Sequence, residues 1–167
     1  VAGCEAVQVT GHARYEAGDD GLGVLYVPLC PVTNLLVLGA GLDAVPIVAI
    51  AVELGWRVSV GDHRPSYLEK TEFVGAERVA LVDPAVLGSE FVADDFDAVI
   101  VMSHHLQTDQ TYLEQLADTD ISYIGVLGPR ARKDRLLDAL GGTGKQLGSR
   151  LKGPVGLDIG ADSPESI

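Results

Sequence analysis

The sequence predicts a three-layer α/β fold built on a doubly wound parallel sheet. Three observations carry this expectation. The apolar run Leu35-Leu36-Val37-Leu38 reads as a buried parallel strand and leads into Gly39-Ala40-Gly41-Leu42-Asp43-Ala44, a G-x-G-x-x-A pattern. Val45, Ile47, Val48, Ile50, Ala51 and Leu54 follow at helical spacing and end at Gly55. Short apolar stretches then keep alternating with helical ones to about residue 140. Strands separated by helices mean crossover connections and a parallel sheet. Counting from Leu35, the expected strand order is 3-2-1-4-5.

In such a strand–turn–helix unit the small residues have separate jobs. Gly39 allows the tight turn, and Gly41 removes a side chain where the backbone must approach a phosphate. Ala44 lets the helix pack closely on the strand. The helix, expected over about 42–54, begins near Pro46, where a missing N–H costs little. Its first N–H groups and dipole favour an anion. Asp43 stands beside those groups and either competes with a phosphate for them or caps the helix. Trp56–Val60 is the second strand, closing on Gly61-Asp62. Asp62 lies about 20 residues beyond Gly41, where a Rossmann-like unit carries the acid that takes a ribose hydroxyl. Its other reading is a turn cap. The plainer alternative for the whole unit is a flavodoxin-like domain whose glycines only turn the chain.

The remaining elements follow in order: a short helix near 66–70, a strand over 78–82, a weak helix or loop over 84–93 and a strand over 97–102. A helix over 108–117 turns Tyr112, Leu113 and Leu116 inward, and a strand over 122–126 precedes a helix over 129–140. Gly141–Gly144 reads as a flexible break, and 153–161 as a glycine-studded tail. Ser163-Pro164-Glu165 has the form of a helix start. Residues 1–33, punctuated by Gly and Pro with Val24–Val27 as one short strand, read as the remnant of a preceding domain and a linker. Residues 34–167 form the main domain.

Twelve basic residues against 24 acidic ones give a net charge of −12. That balance argues against nucleic acid and anionic membrane surfaces, both of which need basic patches. Cys4 and Cys30 give neither metal-ligand spacing nor a dense disulfide framework, which fits a reducing cytoplasm. No apolar run approaches the roughly 20 residues of a membrane span. The start at Val1 lacks both a Met and a signal-peptide pattern, so a fragment is expected.

Ligands of open α/β sheets bind at the carboxyl ends of the strands, at the switch point. Asp62, His63 and Arg64 end the second strand, Ser103, His104 and His105 end the fourth, and Gly128 and Arg130 follow the fifth. Arg64 either holds a phosphate bidentately or pairs with Asp62. His104 and His105 are adjacent, so at most one is expected to face a ligand, and no zinc-like ligand set accompanies them. Asp109 either caps the following helix, the safer expectation, or orients a histidine. Arg130, Arg132, Lys133 and Arg135 are read as a solvated helix face, with docking of an acidic partner as the alternative. Asp158, between Gly156 and Gly160, either meets a ligand or caps a turn.

Several blocks together resemble one family. These are the Gly39-Ala40-Gly41 turn, Trp56-Arg57-Val58 with Asp62-His63-Arg64-Pro65, and Met102-Ser103-His104-His105 with Asp109. Tyr123–Arg130 and Gly156-Leu157-Asp158-Ile159-Gly160-Ala161 complete the set. The sequence from about 34 onward resembles the C-terminal Rossmann domain of the XdhC/CoxI family, accessory proteins of xanthine dehydrogenase and related molybdenum hydroxylases. The resemblance implies a chaperone that binds the molybdenum cofactor (molybdopterin), protects it and hands it to the apo-hydroxylase, as a cytoplasmic homodimer. Gly3-Cys4-Glu5 is similar, with altered spacing, to a family segment whose Cys is implicated in holding the cofactor. Leu42 stands where many members carry His. Two other classes stay open on the residues alone: an NAD(P)-dependent oxidoreductase using His104 or His105 as its acid, and a nucleotide-sensing regulatory domain.

Overall fold

The computed structural model describes residues 10–17, 22–29 and 31–156, together with Cys4, Glu5 and Val7. They divide into two compact units, with the boundary between Pro31 and Val32. In the first unit, β1 (Arg14–Ala17) pairs antiparallel with β2 (Gly23–Tyr26), Arg14 lying opposite Tyr26. The expected Val24–Val27 strand is thus one arm of a hairpin. Its turn signal at 18–21 lies outside the described residues.

The second unit runs β3 (Asn34–Leu38), α1 (Ala44–Glu53), β4 (Arg57–Asp62), α2 (Pro65–Lys70), β5 (Arg78–Leu81) and β6 (Ala98–Val101). Then come α3 (Leu106–Leu116), β7 (Tyr123–Val126), α4 (Arg130–Leu140), α5 (Gly142–Leu147) and β8 (Leu151–Lys152). Two 3₁₀ segments, Pro84–Ser89 and Ala93–Asp95, fill the stretch expected as weak helix or loop. The sheet order is β5-β4-β3-β6-β7-β8, and every ladder is parallel. This is the expected 3-2-1-4-5 order with one strand added. The addition, Leu151–Lys152, is too short for a periodic signal, but it pairs with Ile124 and Gly125 and buries Leu151.

The expected flexible break at 141–144 is a correction. Gly142–Leu147 forms a helix that buries Leu147 among the side chains over one sheet face. Tertiary burial outweighs the low helix propensity of its glycines. The tail beyond Gly156, including Asp158 and the helix start at Ser163, lies outside the described residues.

Strand alternation sorts the core into two layers. Leu36 and Leu38 of β3 face one side with Val99, Val101, Ile124 and Val126, covered by Tyr112, Leu113 and Leu116 of α3 and by Leu136 and Leu140 of α4. Leu35 and Val37 face the other with Val58 and Val60, covered by Ala44, Val48 and Ala51 of α1. A central strand buried on both faces explains the unbroken apolar run Leu35–Leu38. No helix among the described residues is long and apolar enough to cross a membrane. What the layers position is the switch point: α1 leaves β3 on one side of the sheet and α3 leaves β6 on the other.

Candidate functional site

At that switch point the backbone turns are in close contact. Gly39 has φ +135°, a conformation that side chains rarely adopt, and its N–H donates to the Gly61 carbonyl at 2.8 Å. A β-carbon there would fall on the Met102 carbonyl and within 2.9 Å of Ser103 N. Gly39 is therefore needed both for the turn and for the contact between the ends of β3 and β6.

Asp62, the last residue of β4, is fully buried. One carboxylate oxygen accepts from Ala40 N at 2.7 Å and Arg64 Nη2 at 2.9 Å. The other accepts from Arg64 N at 2.8 Å and Arg64 Nε at 3.0 Å. The turn and the strand end are thus joined through one acid. Burial pushes the Asp62 carboxyl up, but the Arg64 pair and the two backbone N–H groups outweigh it and hold it below the usual carboxylate range. Arg64 is pushed up, chiefly by its hydrogen bond to Asp62, and its guanidinium lies 3.6 Å from the centroid of the Tyr67 ring.

A second carboxylate mirrors the first. Asp109, fully buried in the first turn of α3, accepts from the Ser103 hydroxyl at 2.5 Å and Ser103 N at 3.2 Å. Its other oxygen takes Arg132 Nη2 at 2.6 Å. The expectation that Asp109 caps α3 is therefore corrected. His105 flanks that helix instead, its Nδ1 meeting the Thr108 hydroxyl at 2.9 Å and the Thr108 N–H at 3.4 Å. Arg132 is corrected too, because it is not part of a solvated face. It reaches across because Gly128, at φ +117°, leaves open the space taken by the Arg132 stem, whose Cδ is 2.7 Å from where a β-carbon would stand.

Two buried polar atoms in this region make no hydrogen bond: His63 Nδ1 and the Tyr112 hydroxyl. His63 Nδ1 lies 3.4 Å from Asp62 Oδ1. Burial pushes the imidazole below its ordinary value, against the pull of Asp62 and Asp109. Tyr112 is completely buried, and desolvation with the nearby Asp62 and Asp109 charges pushes its phenol well up. The region thus holds two carboxylate–guanidinium pairs, an imidazole that resists protonation and a phenol that keeps its proton. The Ser103 hydroxyl is bonded to Asp109, and no Ser–His side-chain pair forms among the described residues. No group of three His, Cys, Asp or Glu among them could hold a metal ion.

Comparison with known proteins decides the lineage. The family model described as the XdhC Rossmann domain matches residues 35–167. The chain belongs to the XdhC Rossmann domain family. Over 137 residues it is 39% identical to a protein of Bacillus subtilis strain 168 described as a probable xanthine dehydrogenase subunit, which covers 82% of this chain and 40% of that protein. A crystal structure of a xanthine dehydrogenase from Bacillus halodurans is 35% identical, with a TM-score of 0.72 over 86% of this chain and 40% of that one. The chain thus spans about two fifths of the length of these relatives. The NAD(P)-binding domain of an exopolyphosphatase-related protein from Archaeoglobus fulgidus shares the fold. There the TM-score is 0.50 at 19% identity, over 63% of this chain and 80% of that domain.

Within this XdhC domain, the sequence-predicted residues Gly39, Gly41, Asp43, Asp62, His63, Arg64, Ser103, His104 and His105 all lie at the carboxyl ends of β3, β4 and β6. Gly128 joins them through Arg132. Arg130 is exposed at the first position of α4 and forms no ion pair among the described residues. Cys4, an exposed free thiol, belongs to the first unit. Sequence reasoning missed Arg132 as a partner of Asp109, and took Tyr112 for core alone. Both lie on helices that leave the carboxyl ends of strands, Arg132 in the first turn of its own, and that position was the available signal.

Proposed function

We propose that this XdhC domain binds the molybdenum cofactor for delivery to an apo-hydroxylase of the xanthine dehydrogenase type, holding it without turnover. The observation that supports this reading best is that two buried polar atoms, His63 Nδ1 and Tyr112 OH, make no hydrogen bond while both feel the charges of the arginine-paired Asp62 and Asp109. Buried polar groups are almost always partnered, so two unpartnered ones in one region suit a ligand with its own donors and acceptors. The edges of a pterin are such rows of donors and acceptors. Its phosphate suits the guanidinium N–H groups of Arg64 and Arg132 that Asp62 and Asp109 leave unused. When bound, the cofactor supplies the molybdenum chemistry. The residues of this chain bind it, orient it and exclude water. His63, kept neutral by burial, and Tyr112, whose phenol keeps its proton, would hold the pterin edge by hydrogen bonds. A homodimer in the cytoplasm belongs to the same proposal and is checked by light scattering of the purified chain.

The test is an anaerobic titration of the chain with molybdopterin cofactor released from a hydroxylase, followed by pterin fluorescence. Saturable binding is expected, weakened at least about tenfold in Tyr112→Phe, the size of one hydrogen bond to a charged or buried partner. A wild type that retains no pterin overturns the proposal.

A further inference from the structure

The glycine-rich turn carries one side chain that its fold does not require. In a dinucleotide-binding unit the second glycine leaves room for a pyrophosphate. Here that room is filled from within the chain. A β-carbon placed on Gly41 would stand 2.5 Å from Asp43 Oδ1 and 3.9 Å from His104 Cδ2. Asp43 flanks the start of α1 but caps none of its N–H groups. Its carboxylate turns instead to His104, Oδ2 lying 2.6 Å from Nε2. Only 13% of the Asp43 side chain is exposed.

His104 is held for this contact in an unusual way. Its φ is +62°, the one positive value among the described residues other than glycine. A β-carbon disfavours that conformation, and surrounding structure must hold it. The bonds of its neighbours, Ser103 to Asp109 and His105 to Thr108, fix the chain on either side. The ribose acceptor is closed as well, since each oxygen of Asp62 already takes two donors from its own chain.

We infer that Asp43, latched by His104, is the specificity-determining residue of this turn and excludes phosphate and pyrophosphate groups from it. The inference rests on the switch point being a ligand site, as proposed above, and says which ligands it refuses. A phosphate arriving at Gly41 meets a carboxylate already in van der Waals contact with the turn. Two like charges at that distance oppose binding, and the aspartate cannot leave without breaking its His104 bond. Phosphate-bearing ligands are then accepted only where their phosphate reaches Arg64 or Arg132 instead.

The experiment is a calorimetric titration of the full chain with NADPH, NADH and ADP. Wild type, Asp43→Gly, Asp43→Asn and His104→Ala are compared, with far-ultraviolet dichroism as the check of folding. Wild type is expected to show no saturable binding. Asp43→Gly is expected to bind all three nucleotides saturably, at least about tenfold more tightly than the detection limit that bounds the wild type, as removal of one opposed charge implies. Asp43→Asn, of equal volume, gains less, and His104→Ala least, because the freed carboxylate stays on the turn. Should Asp43→Gly fail to fold, Asp43→Asn decides. Nucleotide binding by wild type as tight as by the variants overturns the inference, and so does a folded Asp43→Gly or Asp43→Asn that gains nothing. Pterin titrations of the same proteins separate the two proposals. Nucleotide gain without pterin retention removes the cofactor reading and leaves the latch standing.

Discussion

The two sides of the switch point solve one problem by different means. On the β4 side, Asp62 finds its arginine two residues along the same chain, and two rigid backbone N–H groups complete its shell. On the β6 side, Asp109 finds its arginine 23 residues away on another helix, and a serine completes the shell. Both carboxylates are fully buried. The first pair is local, with His63 Nδ1 lying 3.4 Å from Asp62. The second is a tie between α3 and α4, and it depends on Gly128 leaving room for the Arg132 stem. A local pair shapes a loop; a distant pair holds two elements together. The two sides should therefore fail differently.

The largest effect is expected where both sides meet. Gly39 packs on the Met102–Ser103 backbone at the end of β6 and bonds Gly61 of β4. In Gly39→Ala the new methyl meets backbone, which cannot rotate away, in a conformation suited to glycine. Overpacking and backbone strain together predict a loss of about 3 kcal/mol or more, read as a fall of about 10 °C in thermal midpoint at constant denaturation cooperativity. Gly41→Ala meets the Asp43 carboxylate, a side-chain end that can move aside at the cost of its His104 bond, and should cost less. Equal losses at the two glycines would mean that the turn, and not the contact between strands, sets the requirement.

Arg132→Ala comes next. It strands a buried carboxylate, a loss expected at about 3 kcal/mol, while Arg64→Ala costs less because the backbone N–H groups of residues 40 and 64 still bond Asp62. Urea unfolding of the single variants and of Asp109→Asn/Arg132→Met measures this. Replacing both partners should recover much of the loss, since an unpaired buried charge is worse than none. An Arg64 variant less stable than the Arg132 variant would invert the comparison between the two sides.

The same contrast shows why some of the molecule was legible in its sequence. Periods of 2 and 3.6 residues report burial, so the strands around Leu35–Leu38 and the inward face of α3 were readable. β8 escaped because two residues carry no period. α5 escaped because its three-dimensional burial, not its glycine-rich composition, makes it helical. In the site, the glycines of the turn, Asp62 and Arg64 were legible, since motif spacing and adjacency place them. The Asp109–Arg132 tie and the Asp43–His104 latch were not. Their partners are 23 and 61 residues apart, and a single sequence does not say which first-turn side chains meet. Arg132 among Arg130, Lys133 and Arg135 looked like a solvated surface, whereas the room beside Gly128 singles it out.

The smallest predicted effect separates the β4 side into its two titrating groups. The folded chain holds Asp62 below its ordinary value and His63 below its own, 3.8 and 6.5 respectively. In both cases the unfolded chain binds more protons within the window, so stability rises with pH there. The His63 contribution is complete above about pH 6.5 and drains as the pH falls below that value, because the unfolded imidazole takes a proton that the buried one refuses. The Asp62 contribution is complete above about pH 4 and is lost only as the pH falls through the lower folded value. Unfolding free energy measured from pH 8 to pH 3 should therefore decline in two stages. His63→Gln should flatten the upper stage and leave the lower one. Asp62→Asn, which keeps an acceptor for Ala40 N, should do the reverse. A single stage abolished by either substitution would mean that the imidazole and the carboxylate titrate as one unit, and that the 3.4 Å between them is bridged in solution by a shared proton.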